Sequence, residues 1–211
     1  MGCVEPAAIA HLLEPFIELD ETRLRSISIY IDLLLKWNAR INLTAIREPG
    51  EIVRRHFGES LFAAKYTLQQ KQPQTAIDLG SGAGFPGVPF AMLAPQVQVT
   101  LIESQQKKAT FLKELIHVLE LKNIKVFSDR AESYPGTADL TMLRAVEKFE
   151  QALPMAVRLT NAGGRIALMI GSGQVEWARK MGAEVHWGDA VPVPRSNSRE
   201  LLVGTKSLKV E

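Results

Sequence analysis

Apolar residues recur along this chain in two rhythms. From Leu24 they fall at Ile27, Ile31, Leu34 and Leu35, with Trp37 close behind. Steps of three and four residues mark one face of a helix. Asp20 stands just before this run, where its carboxylate can cap the first turn. A shorter helix is predicted over residues 8–19. Another is predicted from Glu51 to Lys65, with Ile52, Val53, Phe57, Leu61 and Phe62 apolar. Asn38, Asn42 and Thr44 favour a turn between them. Beyond Pro73, short apolar runs alternate with helical ones. Strands are predicted at Thr75–Leu79, Gln98–Glu103, Ile124–Phe127, Asp139–Leu143, Arg165–Ile170, Ala183–Trp187 and Leu201–Thr205. The intervening helices are Pro86–Ala94, Lys107–Leu121, Phe149–Leu159 (despite Pro154) and Val175–Met181. Ser128–Glu132 and Gly163–Gly164 read as turns.

Strands that alternate with helices imply an α/β fold with parallel pairing in a doubly wound sheet. The chain then divides into an N-terminal helical extension, 1–72, and an α/β domain, 73–211. Such sheets bind ligands beyond the carboxyl ends of their strands, where the strand order reverses. The loop after the first strand, Glu103, the 128–132 turn and the end of the fourth strand all lie at carboxyl ends, so they should share one crevice.

Composition narrows this only a little. A net charge of +2 over 211 residues gives no whole-chain attraction to polyanions, so any basic patch is local. The single cysteine, Cys3, has no partner for an internal disulfide, which points to a reducing, cytoplasmic compartment. No run of about 18 apolar residues predicts a membrane span, and no signal peptide is apparent. No helix or strand face is left as an evident apolar stripe, so a monomer is expected.

The chemistry concentrates in Thr75–Gly87, T-A-I-D-L-G-S-G-A-G-F-P-G. A strand, a glycine-rich turn and a helix start make a cofactor site, because glycine permits close backbone approach and a helix start offers free N–H groups. Two cofactors compete for it. Gly82 to Gly87 satisfies the dinucleotide spacing G-x-G-x-x-G, and Glu103 lies about 20 residues on, where a ribose-binding acid belongs. Against that, Gly80 ends the strand too early for the dinucleotide register. D-L-G-S-G-A-G is instead the form found in S-adenosylmethionine methyltransferases, with Asp78 near the sulfonium-bearing end. Both cofactors contain adenosine, so Glu103 on the ribose hydroxyls suits either.

Two polar clusters lie in the helical part. One is Lys36, Trp37, Asn38, Arg40, Asn42 and Thr44; the other is Arg54, Arg55 and His56, followed by Glu59 and Ser60. They read either as turns and a solvated face or as an RNA- or substrate-facing surface, where cations hold phosphate and aromatic rings stack on bases. Lys107, Lys108, Arg195 and Arg199 are further candidate phosphate contacts. Nothing stands at metal-ligand spacing with His56, so no metal site is predicted.

Trp37-Asn38, Asn42-Leu43-Thr44, His56 with Ser60, Asp78 through Gly87, and Arg144-Ala145 occur in an order and spacing that resemble the RsmG (GidB) family of 16S ribosomal RNA methyltransferases. The likeness runs from about residue 24 to about 206. It implies a class I methyltransferase, a Rossmann-like seven-stranded doubly wound sheet with an N-terminal helical extension. It also implies methyl transfer from S-adenosylmethionine to guanine N7 in 16S ribosomal RNA or the small ribosomal subunit. By the same resemblance Gly80, Gly82 and Phe85 line the cofactor pocket, Ala131 and Glu132 flank the adenine, and Arg144 stands between cofactor and target base as the catalytic residue. Arg54, Arg55, His56, Lys107 and Arg195 become the candidate RNA contacts. Guanine N7 carries no proton, so no general base is required and Arg144 is a positioning group; a salt bridge to Asp78 or Asp139 is its alternative role. The chain departs from the family pattern at Glu59 (usually Asp), Leu143 (usually Ser) and Ile170 (usually Lys). A diverged relative that binds without turnover, a small-molecule methyltransferase and a NAD-dependent oxidoreductase stand as the other readings.

Overall fold

The computed structural model describes residues 4–144, 149–181 and 184–208, so Cys3, Ala145 and Ala183 lie outside it. Its strands are β1 (Thr75–Leu79), β2 (Gln98–Ile102), β3 (Ile124–Phe127), β4 (Ala138–Arg144), β5 (Thr160–Gly171), β6 (Val185–Pro192) and β7 (Arg199–Lys206). They form one sheet in the order β3-β2-β1-β4-β5-β7-β6. Pairing is parallel from β3 through β5, as expected. The last two strands differ: β7 is antiparallel to both β5 and β6. The short loop joining β6 to β7 leaves no room for a crossover, so the two must form a hairpin. β5 also starts earlier than expected, before Gly163, where a register shift against β4 absorbs the irregular turn.

Helices α1 (Pro6–Leu13), α2 (Glu21–Asn38), α3 (Pro49–Ile52), α4 (Glu59–Gln70), α5 (Gly87–Leu93) and α6 (Gln106–Val118) cover one face of the sheet. α7 (Phe149–Leu159) and α8 (Val175–Met181) cover the other. Strand alternation assigns the faces. Ala76, Val99, Leu101, Leu140 and Met142 join the core of α1–α6, whereas Ile77, Leu79, Ile102 and Leu143 join that of α7 and α8. The N-terminal helices thus share one continuous core with α5 and α6. Among the described residues no helix is long and apolar enough to cross a membrane.

Local chemistry explains the element ends. Asp20 caps α2 by accepting from the Arg23 N–H at 2.8 Å. α1 ends well short of residue 19 because Pro15 has no N–H and restrains the residue before it. Residues 51–65, expected as one helix, divide into three parts. Glu48 caps α3, a six-residue π-helical segment (Val53–Gly58) follows, and α4 runs on to Gln70. Arg165 on β5 is buried and donates to the Thr67 carbonyl at 2.7 Å and to the Lys71 carbonyl. It satisfies groups at the C-terminal end of α4 and fixes that helix to the sheet.

The glycine loop joins the two halves of the chain. Gly80, Gly82 and Gly84 all have positive φ, at 74°, 57° and 92°. Gly84 is also the point of closest approach. A Cβ there would collide with the Tyr30 hydroxyl and sit 3.0 Å from Val88 Cγ2. That hydroxyl donates to the Ala83 carbonyl, and the Phe85–Pro86 peptide is cis. Phe85 stacks on Tyr30 (5.1 Å, 6°) and meets Phe57 edge-on. Left-handed strain and overpacking each cost roughly 1–3 kcal/mol. Gly84→Ala is therefore expected to destabilise the protein by about 3 kcal/mol, measured as a shift of the urea midpoint at unchanged m-value. An unshifted midpoint would show that the loop does not need this close approach.

Candidate active site

The order β3-β2-β1-β4-β5 reverses between β1 and β4, and the main cleft opens there. Its volume is about 520 Å³, enough for a nucleoside-sized guest. Gly80 and Gly82 follow β1, Glu103 follows β2 and Arg144 ends β4; all line the cleft, with Phe85 and His56 in its wall. The convergence expected of these residues is found.

Glu103 is buried, and each carboxylate oxygen accepts one backbone N–H: Oε2 from Gly82 and Oε1 from Gln105, both at 2.8 Å. Each oxygen keeps a second acceptor site, which is what a ribose diol requires. A Cβ on Gly82 would have only the Gly80 carbonyl near it, at 3.8 Å, so the loop backbone faces open space. These features fit an adenosine. Asp78, expected at the sulfonium end, instead lies beneath the loop at 1% exposure, where Oδ2 accepts from the Gly87 N–H at 3.0 Å. A carboxylate therefore occupies the first N–H of α5, the group a pyrophosphate would need.

Arg144 is held by residues from the π-helical segment and the start of α4. Nη2 donates to Glu59 Oε2 at 2.9 Å and to the Arg55 carbonyl; Nη1 donates to His56 Nδ1 at 3.1 Å. The salt bridge is therefore to Glu59, and not to Asp78 or Asp139. Asp139 is spent on the start of β1, accepting from Gln74 and Thr75. Burial lowers the pKa of Arg144, and Glu59 opposes that shift. Since His56 Nδ1 accepts from Arg144, Nε2 carries the proton and donates to Thr44 Oγ1 at 2.8 Å. Thr44 is set by Asn38, whose amide oxygen accepts from the Leu43 and Thr44 N–H groups and whose amide nitrogen donates to the Thr44 carbonyl. The other face of His56 stacks on Phe85 at 4.8 Å.

The remaining candidates are dispersed. His56, expected on an exposed RNA-facing surface, is only 9% exposed because both ring nitrogens and one ring face are engaged. Arg54 is turned onto Glu51 and Glu48. Arg55 is exposed. Ala131 and Glu132 form a single 3-10 turn after β3 and are not among the residues lining the cleft. Lys107 points to solvent, and the adjacent Lys108 lines the cleft instead. Lys108 stands three, four and seven residues before Phe111, Leu112 and Leu115, so helical period places it on the inward side. Arg195 is exposed in the β6–β7 loop, while Arg199, at the start of β7, faces a small cavity beside Arg144. Trp37 is structural: its Nε1 donates to Glu114 and its ring meets Phe111 edge-on. Thr44 and Glu59, noted in the sequence only within polar clusters, and Lys108 and Arg199, noted only as candidate phosphate contacts, gain definite places: Thr44 and Lys108 line the cleft, Glu59 pairs with Arg144, and Arg199 lines the cavity beside it.

Comparison with known proteins bears on the same residues. Residues 23–192 match the family model described as rRNA small subunit methyltransferase G. The chain is similar to proteins named ribosomal RNA small subunit methyltransferase G from Chloroflexus aggregans and Roseiflexus castenholzii. Identity is 34% and 36%, over 90% of this chain and 84% and 86% of theirs. Among solved structures, a putative O-methyltransferase from Klebsiella pneumoniae aligns with a TM-score of 0.65 at 17% identity, covering 95% of this chain and 96% of that one. A SAM dependent methyltransferase from Aquifex aeolicus aligns at 0.58 and 17% identity, covering 75% and 94%. These two likenesses establish a class I methyltransferase fold.

Two buried groups of the site titrate in opposite senses. Burial raises Asp78 from 3.8 to about 7, against the Gly87 hydrogen bond. Burial also lowers His56 from 6.5 to about 3, with Arg144 and Arg55 adding to it. Asp78 therefore contributes stability below its unfolded value, which is lost as pH rises to about 7; His56 contributes above its own unfolded value, which is lost as pH falls to about 3. Relative to the unsubstituted protein, Asp78→Asn should gain up to roughly 4 kcal/mol of stability as pH rises from about 4 to about 7. His56→Gln should gain relative stability as pH falls below about 6.5. Urea unfolding across this range checks both; a pH-independent difference for Asp78→Asn would mean an ordinary carboxyl.

Proposed function

The chain belongs to the rRNA small subunit methyltransferase G family, and on that premise we propose that it methylates N7 of a guanine in 16S ribosomal RNA, with S-adenosylmethionine as methyl donor. The observation that carries the reading is the clamped Arg144 at the edge of a nucleoside-sized cleft. The occupied first N–H of α5 speaks against a dinucleotide, and the spare acceptor sites of Glu103 speak for adenosine.

When bound, S-adenosylmethionine would supply an electrophilic methyl group: the new bond to guanine N7 would be made by that atom's own lone pair, and the broken C–S bond would leave its electron pair on sulfur as neutral S-adenosylhomocysteine. No proton leaves N7, so none of the residues here has to act as a base. The protein's part is placement. Glu103 would hold the adenosine side through its free acceptor sites, and the left-handed loop at Gly80 and Gly82 would let backbone approach the guest. Arg144 has five N–H hydrogens, and three are committed to Arg55, His56 and Glu59. The other two, without partners among the described residues, suit guanine O6 or a neighbouring phosphate. Because His56 is neutral, it adds no second positive charge beside the arginine. Glu59 still reaches Arg144 although it is longer than the usual Asp. Leu143 is buried in the sheet's second core and presents no side chain to the main cleft.

Arg144→Ala should lower methyl transfer to small ribosomal subunits by about 10²-fold or more, with S-adenosylhomocysteine affinity by calorimetry within a few-fold. Reverse-transcription mapping of 7-methylguanosine should show one modified position that depends on this protein. Full activity in Arg144→Ala, or modification at an atom other than N7, would overturn the assignment.

A further inference from the structure

Arg144 lines two spaces. One is the main cleft; the other is a cavity of about 60 Å³ at the carboxyl ends of β4 and β5 and the start of β7. The second is far too small for a base and is of the size of a single phosphate group. Leu143, Phe149 and Ile170 supply its apolar side, and Arg144, Arg199 and Gln174 its polar side. Every polar group there is a donor. Gln174 uses its amide oxygen on the Gly171 N–H at 3.0 Å, which leaves its NH₂. Arg199 is half-buried, and its guanidinium has no hydrogen bond or ion pair among the described residues. Among the described residues no carboxylate lines the cavity, and Glu59, the acid bonded to Arg144, is not one of its lining residues.

Two guanidiniums that line one space, with no carboxylate among its described lining residues, repel each other, and the Arg199 charge is among those that depress the pKa of Arg144. Like charges in a partly desolvated space are unfavourable unless an anion joins them. Planar guanidiniums match phosphate oxygens in pairs. We propose that this cavity is a phosphate subsite in which Arg199, with Arg144 and the Gln174 amide, grips a backbone phosphate of the RNA beside the target guanosine. The inference rests on the rRNA reading above and deepens it. Its position follows from Arg144: one side chain borders both cavities, so a phosphate held there anchors the nucleotide whose base enters the main cleft. The carboxylate of the cofactor's methionine moiety has similar chemistry and is the competing guest.

The test measures the affinity of unmodified small ribosomal subunits by fluorescence titration at several salt concentrations, a readout that needs no turnover. Three variants are compared with the unsubstituted protein: Arg199→Ala, Arg199→Lys and Lys180→Ala, the last removing an exposed charge on α8 away from both cavities. Arg199→Ala should bind subunits about tenfold more weakly, and its log–log salt slope should fall by roughly 0.7–0.9, the value for one lost phosphate contact. Arg199→Lys should recover the slope, and Lys180→Ala should leave affinity and slope unchanged. S-adenosylhomocysteine affinity should stay within about twofold in all three, which also shows that the variants fold. Unchanged subunit affinity and slope in Arg199→Ala would overturn the subsite. Loss of S-adenosylhomocysteine affinity with intact subunit binding would overturn it in favour of the carboxylate. If the unsubstituted protein makes no 7-methylguanosine, the functional reading fails, and the slope comparison still decides the role of Arg199.

Discussion

An arginine side chain only 12% exposed needs close partners for its charge, and the groups that hold Arg144 shape the rest of this molecule. Its side chain ends a central strand, yet all three groups that hold it come from residues 55–59, more than 80 positions earlier in the chain. A carbonyl, an imidazole nitrogen and a carboxylate within five residues converge here on one guanidinium, at a point where the helix is not regular. The π-helical segment Val53–Gly58 supplies that irregularity, in keeping with the tendency of π-type turns to occur at functional sites. His56 is the critical member, because a protonated ring would place a second cation against the first. Burial and the arginine charge together keep it neutral. The N-terminal helices are thus the half of the site that holds the arginine, while the sheet supplies the arginine itself.

The same histidine connects this cradle to the cofactor loop. Tyr30, Phe85 and His56 form a continuous stack, with Phe57 edge-on to both Tyr30 and Phe85. Each such pair contributes about 0.5–1.5 kcal/mol beyond its burial. The larger consequence is geometric. One end of the stack fixes the glycine loop through the Tyr30 hydrogen bond to Ala83, and the other presents Nδ1 to Arg144. Loop and arginine are thereby placed relative to each other by rigid rings. Methyl transfer is a reaction in which placement is most of the catalysis.

Much of this was legible in the sequence, and the part that was not has physical reasons. The helix from Leu24 with its Asp20 cap, the strands β1 to β4, the glycine loop and Glu103 were readable because each depends on local period or local backbone freedom. β7 pairing antiparallel between β5 and β6 was not, since strand order is a long-range property. The π-helical turn could not be read either: Ile52, Val53, Phe57 and Leu61 satisfy ordinary helical period, and the groups packed on the turn, Arg144 and Phe16 with its ring under Gly58, come from distant parts of the chain. Trp37-Asn38 and Asn42-Leu43-Thr44 were recognisable as a motif but ambiguous in role. The structure makes them scaffolding, with Asn38 shaping the turn that brings Thr44 to His56. Lys108 was already a candidate phosphate contact, and its spacing to Phe111, Leu112 and Leu115 accounts for its place at the cleft where Lys107 points to solvent.

The distribution of charge explains how a chain with a net charge of only +2 could serve a polyanion. The acids of the site are all turned inward. Glu59 is bonded to Arg144, Glu103 to the backbone of Gly82 and Gln105, and Asp78 to the start of α5. Arg55, Lys108 and Arg199 have no ion pair among the described residues, and Lys108 and Arg199 line the two cavities that Arg144 borders. Arg54, by contrast, is neutralised by Glu48 and Glu51 and belongs with the scaffold. Local cations available to a phosphate therefore require no excess of basic residues in the chain as a whole. Glu59 is paired with Arg144, so it does not neutralise Lys108 and Arg199, which remain at the two cavities with no ion pair among the described residues.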